Sequence, residues 1–233
     1  EGISGQLQRY LIPGLGIVDV KSELKAIPGP GGHGTQIVGR GQAWVRRLDN
    51  SFLAGLTRGL PSIDTGLVRG PDGIVRFVGL KLSSPGLSLS GGGYRRHDGT
   101  FFFEGNGRQA QYGQIARFVL DGRIERPRID LELVRPNAAL GLHDVRLHFD
   151  PNGAGYAWQA KGGSRLGEFS GNGAILLPPH QSATIAIATL VASKMTGSGE
   201  LRSLPGGFSG RLVLGGAAAG TIDFSPAGTV QQI

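Results

Sequence analysis

The sequence predicts an all-β fold: an elongated, curved antiparallel sheet that forms a taco-like groove, with one short helix. Three observations predict it. Of 233 residues, 42 are Gly and 13 Pro while only 7% are aromatic and 18% charged, the composition of a chain of many turns and short strands with few helix formers. Turn signals then recur roughly every 8 to 14 residues, the cadence of consecutive antiparallel strands. Finally, in the stretch Ile115 to Pro136, Ile129, Leu131 and Leu133 alternate strictly with Arg128, Asp130 and Glu132. Alternate strand residues point to opposite faces, so this segment has one apolar and one charged face. A hydrophobic content of 39% without a three-residue glycine period excludes a disordered Gly-rich tract and a collagen-like chain.

Taken in order, Leu15 to Ala26 and Gln36 to Arg46 read as two strands joined by a long loop, IPGPGGHGT. Gly29, Gly31 and Gly34 satisfy a G-x-G-x-x-G pattern, but Pro30 interrupts it and a strand follows where a dinucleotide site needs a helix. Asp49 to Leu60 reads as the one helix, with Asp49 or Asn50 as cap, Phe52, Leu53, Leu56 and Leu60 on one face, and Pro61 as its end. Its expected role is a plug or edge cover. Strands follow at Ile63 to Val68, Ile74 to Leu82, Gly86 to Gly92, Gly99 to Gly105 and Gly107 to Gly113, with Gly122 and Arg123 marking a step before the Ile129 run. Gly141 to Asp150 alternates, and PNGAG turns the chain into Tyr156 to Ala160. Beyond Gly167 the chain echoes itself: Phe169-Ser170-Gly171 and Phe208-Ser209-Gly210 each precede an apolar run, which suggests a degenerate hairpin repeat with small residues at turns or bends. The β-branched content of Ser182 to Ser193 favours a strand despite its alanines. The expected organisation is one elongated region over 1–233, divisible into a hairpin segment (1–49), the helix (50–61) and a repetitive sheet (62–233).

Chemistry is sparse. There is no cysteine, hence no disulfide framework or thiolate site. His143 and His148, five residues apart on one strand, are expected on opposite faces, and no nucleophile elbow, zinc-protease or phosphate-loop motif occurs. Asp130 with Glu132 is a same-face carboxylate pair, but the neighbouring Arg126 and Arg128 make a solvated charge row the better account. An enzyme, a cofactor and a metal are not expected. The net charge of +7 and pI near 10.2 describe a basic outer face or an attraction to anionic headgroups. No basic run is interleaved with stacking aromatics, so nucleic acid is not expected as a partner. No apolar run reaches about 18 residues. The chain opens at Glu1 without methionine or a signal peptide, and is expected to be a section of something longer.

What remains is an amphipathic sheet that one short helix cannot cover. Bending it into a trough, polar outside and apolar inside, gives an interior suited to acyl chains. The candidate groove residues are Phe101, Phe103, Ile129, Leu131, Leu133, Val145, Leu147, Phe149, Ile185, Ile187, Leu212, Leu214, Ile222 and Phe224. The alternatives are a structural scaffold or interaction module with a dry core, and a chaperone that holds unfolded strands through its sheet edges.

The cadence LDGRIERPRIDLEL, the tract SPGLSLSGGGYRRHDGTFFFEGNGRQAQYG and the closing GSGELRSLPGGFSGRLVLGG with GTIDFSPAG resemble the repetitive body of the TamB/AsmA-like family of Gram-negative envelope proteins, from about Asn50 to the end. The resemblance implies a middle section of a periplasmic, inner-membrane-anchored protein. It also implies a long β-groove that passes phospholipid between the membranes and supports outer-membrane protein assembly beside an Omp85-type barrel. The family's anchor and its C-terminal domain find no counterpart here, so barrel contact would lie outside these residues. The family carries no catalytic residues.

Overall fold

In the computed structural model the described residues are 2–13, 15–49, 51–153, 155–178, 181–204, 207–217, 219–226 and 228–232. They form seventeen strands, one short α-helix and a single 3-10 turn at Pro30–Gly32 in the loop between the second and third strands. In chain order these are β1 (Gly2–Ile12), β2 (Gly16–Pro28), β3 (Thr35–Leu48), α1 (Ser51–Thr57), β4 (Ser62–Arg69), β5 (Val75–Ser83), β6 (Leu87–Arg95), β7 (Phe101–Gln109), β8 (Gly113–Arg123) and β9 (Arg126–Leu133). Then come β10 (His143–Asn152), β11 (Gly155–Ser164), β12 (Gly167–Leu176), β13 (Thr184–Ala192), β14 (Met195–Leu204), β15 (Gly207–Gly216), β16 (Gly220–Ser225) and β17 (Gly228–Gln232).

Each strand pairs antiparallel with the next, so the described strands form one open meandering sheet. The ladder continues without a break from β9 through β17. It also crosses the helix: Trp44 on β3 lies opposite Ser62 on β4. The accessible surface is 13,701 Å², whereas a compact protein of this mass exposes about 10,000 Å². Among the described residues no large side chain is fully buried. The sheet is a groove, and the described residues form one layer with no second sheet laid on its apolar face.

Nine of the sixteen pairings contain a register shift, and each bulge bends its strand and adds twist. In β5 the extra residue is Gly79, at φ 61°, a left-handed conformation that glycine adopts at no steric cost. In β1 it falls at Arg9, φ 53°, whose N–H donates to Asp19 Oδ1 at 2.7 Å.

The structure corrects several expectations. Gly107 to Gly113 is not a separate strand: β7 continues through Gly107 to Gln109, and Gln109 Oε1 accepts the N–H groups of Gln111 and Tyr112 to build the turn into β8. Gly122 and Arg123 belong to β8 rather than to a step, with Gly122 opposite Pro127. The helix is shorter than expected, because Arg58 takes a left-handed φ of 50° directly after Thr57 and ends it before Pro61; the candidate cap Asn50 and the side chain of Phe52 lie outside the described residues, as does His180. The glycines of the Phe-Ser-Gly triplets are not turns. Gly171 lies inside β12, where it leaves room for the Leu190 and Trp158 side chains, and Gly210 lies inside β15, where a Cβ would meet the backbone of Glu200 and Leu201.

Gly93 shows how. A Cβ there would stand 2.1 Å from Phe102 O and 2.6 Å from Phe103 Cδ1. Gly93→Val is therefore expected to destabilise by about 1–3 kcal/mol. Gly55→Ala, in α1 with open space around the new methyl, should instead gain roughly 0.5–1 kcal/mol. Urea unfolding of both variants checks the pair, and a neutral Gly93→Val would remove the packing role given to that glycine.

Candidate functional site

Register turns the local alternation into one continuous surface. A lateral row runs through Ile3, Leu24, Gly39, Leu67, Phe77 and Gly93. It continues through Phe103, Leu120, Ile129, Phe149 and Trp158. It ends with Gly173, Ile187, Gly199, Leu212 and Ile222. From β1 to β16, no position in this row is polar. At about 4.8 Å per strand its contour is about 70 Å. A second row on the same face, from Leu7 and Val20 through Ile63 and Leu89 to Ile115, Leu133 and Val145, is apolar as well.

All fourteen candidate groove residues fall on this face. Phe103, Ile129, Phe149, Ile187, Leu212 and Ile222 occupy the first row. Leu131, Leu147 and Leu214 lie one row to one side, with Leu133 and Val145 beyond them. Phe101, Ile185 and Phe224 lie to the other side. Val145 and Leu212 are buried, and the remaining twelve are half-buried. Sequence reasoning left out Phe77, Phe118 and Trp158, which share the face. The alternation of Tyr156 with Trp158 was the available signal for the last.

Large side chains on this face lie over glycines of the next strand. Phe77 and Phe103 flank Gly93 and bring their ring centroids to 5.1 Å, with Phe101 stacked 5.8 Å from Phe103. Trp158 leans across Gly173, and its Nε1–H donates to Ala186 O at 3.1 Å. At one end of β6 and β7 the face is closed by α1. Gln109, 3% exposed, donates from Nε2 to Leu56 O at 3.1 Å, and Gly86 N–H donates to Thr57 O at 2.7 Å. The helix is thus seated on the strand ends, the plug expected of it.

The opposite face carries the charges, largely in cross-strand pairs: Arg40 with Asp64, Arg46 with Asp19, Arg96 with Asp121 and Arg211 with Asp223. Phe102 points to this side, stacked 5.3 Å from Tyr94 under the Arg96 guanidinium. Asp130, expected only in a solvated charge row, meets His148. The imidazole reaches Asp130 at 2.5 Å through Nδ1 and Asp150 at 2.8 Å through Nε2, and Arg128 Nε donates to Asp150 at 2.8 Å. The hydrogen bonds to Asp130 and then Asp150 raise the His148 pKa above its ordinary 6.5, and the same bond to His148, followed by Arg128, lowers that of Asp150.

The expectation that His143 and His148 face opposite sides is overturned. Asp144 sits in a bulge at φ 50°, which shifts the alternation. His143 lies against Gly163 on the charged side, beside Asp144 Oδ2 at 3.1 Å. His143 has Asp144 and His148 has Asp130 and Asp150, and among the described residues no group of three or more His, Asp or Glu is placed to hold a metal ion.

Fold and face together define a single-layer β-groove protein. Comparison with family models, with curated proteins and with solved structures returns no match.

The His148 cluster makes a pH prediction. A raised folded pKa contributes stability that is complete below the unfolded value near 6.5 and lost as pH rises through the folded value. Wild-type protein should therefore lose unfolding free energy as pH rises above about 6.5, a slope that His148→Gln flattens. An imidazole titration by NMR at or below 6.5 would contradict the arrangement.

Proposed function

We propose that the apolar face binds and conducts phospholipid acyl chains, as a section of a periplasmic, non-enzymatic groove that passes lipid between the inner and outer membranes of a Gram-negative envelope. On this reading it belongs to a TamB/AsmA-like protein, one linked to outer-membrane protein assembly through regions beyond these residues. The observation that carries the reading is the unbroken apolar row from Ile3 to Ile222 on a face that no other layer covers among the described residues. A bilayer leaflet's hydrocarbon is only about 15 Å deep, half of the roughly 30 Å core. A row several times longer suits passage along a track better than one closed pocket. The energetics also fit, since each methylene moved from water onto such a face gains about 0.8 kcal/mol. A scaffold with a dry core fits less well, because among the described residues no large side chain is fully buried.

The two tryptophans offer a built-in test, one on each face. Trp158 shares the apolar row, while Trp44 lies opposite Asp19 and Ser62 on the charged side. Phospholipid brominated along its acyl chains should quench Trp158 in a Trp44→Phe variant and leave Trp44 bright in a Trp158→Phe variant. Equal quenching of both, or of neither, overturns the groove as the lipid site.

Charging the face is the complementary test. Leu131→Glu and Leu147→Glu, at half-buried positions, should keep the circular dichroism of the sheet and reduce co-purifying phospholipid in native mass spectrometry several-fold. Wild-type lipid content in both variants counts against the proposal.

A further inference from the structure

From β4 to β16 the ladder positions of the apolar face carry only two charged side chains, and they are neighbours. Arg69 on β4 and Arg95 on β6 flank Val75 on β5 in a single lateral row, and Phe101 on β7 follows Arg95. Their Cα atoms are thus two strand spacings apart, about 10 Å.

The arginines beside them on the charged face are neutralised, Arg76 by Asp72 at 2.6 Å and Arg96 by Asp121 at 2.7 Å. Arg69 and Arg95 meet no carboxylate among the described residues. Arg69 Nε donates only to the Gly73 carbonyl at 3.3 Å, in the turn where His97 also packs against Gly73. Arg95 lies over the Phe101 ring, 5.9 Å from its centroid. Two guanidiniums without a carboxylate partner among the described residues thus stand at the rim of an apolar face, Arg95 against the Phe77, Phe101 and Phe103 cluster.

The far end of the same strip is closed by α1 on Gln109. Between rim and helix, roughly 27 Å apart at about 3.4 Å per residue, the face is apolar throughout: Phe103 lies over Gly93 and Leu89 over Gly107, with Gly91 paired to Gly105 between them. The strip therefore has polarity: cationic at one end, apolar along its length, closed at the other.

We infer that this strip is an oriented site for a phospholipid with an anionic head, its phosphate held between Arg69 and Arg95 and its acyl chains laid over the Phe cluster towards α1. Guanidinium matches phosphate geometry with two parallel N–H donors, and the aromatic face beneath Arg95 holds that group in place. The inference rests on the lipid reading above and adds to it a headgroup preference and a direction.

The test compares two lipids that differ only in the head, phosphatidic acid and diacylglycerol with identical short chains. Each is titrated against the whole chain by native mass spectrometry. Wild-type protein should bind phosphatidic acid about tenfold more tightly, a difference of about 1.4 kcal/mol. Arg69→Gln with Arg95→Gln should bring the two lipids level without loss of diacylglycerol binding. Arg117→Gln, which removes an exposed charge from the opposite face, should leave the preference intact. A preference that survives the double variant, or that falls equally with Arg117→Gln, overturns the site and assigns the effect to bulk charge. Failure of wild-type protein to bind either lipid defeats the lipid reading itself, a result distinct from equal binding of both.

Discussion

A single-layer sheet with one apolar face must stabilise that face through contacts between adjacent strands, because no opposing layer among the described residues presses against it. Here the solution is lateral. Large side chains lie down across glycines of the next strand, as Phe77 and Phe103 do over Gly93 and Trp158 over Gly173. Such cross-strand pairs stabilise a sheet by roughly 0.2–1 kcal/mol each, with aromatic pairs at the upper end. The contribution is local and repeats with every strand, so a sheet of seventeen strands needs no central core. The glycines also leave one face with less volume than the other, and the bulges add bend. Composition and shape thus share one cause.

The charged face has a different task. Exposed pairs such as Arg40 with Asp64 or Arg211 with Asp223 contribute little net stability singly. Their value lies in register. A slip of one residue would carry Asp223 and Arg211 onto the apolar face and Ile222 and Leu212 into water. Cross-strand charge pairs on one side and apolar rows on the other therefore specify the same alignment, and bulges such as that at Gly79 shift the alternation without breaking it.

Fold class and groove face were legible because both depend on alternation, which survives in a single sequence. Ile129, Leu131 and Leu133 announce their face by themselves, and the ladder only extends it to Phe149, Ile187 and Ile222. Two kinds of information were hidden. Glycine inside a strand looks the same in sequence as glycine in a turn, so Gly107, Gly171 and Gly210 read as punctuation when they are packing positions. A bulge leaves no composition mark either: Asp144 inverts the face of His143, and only backbone geometry reveals it. The strand β1 is hard to read from sequence although Ile3, Gly5 and Leu7 alternate with Ser4, Gln6 and Gln8, since between Ile3 and Ile12 that stretch carries none of the β-branched residues that mark strands elsewhere.

Uniformity along the row bears on what such a face can do. A pocket holds its ligand because one location is better than all others; a row of equivalent apolar positions offers a chain similar contacts at each step. In the lipid reading, moving an acyl chain from Ile129 towards Ile187 or Leu67 exchanges one set of half-buried apolar contacts, aliphatic or aromatic, for another. The barrier to motion then comes from the headgroup and from local departures from the pattern. Arg69 and Arg95 are such a departure, and α1 is another. On a track that is otherwise level, these are the places where an amphiphile would pause, oriented, before moving on.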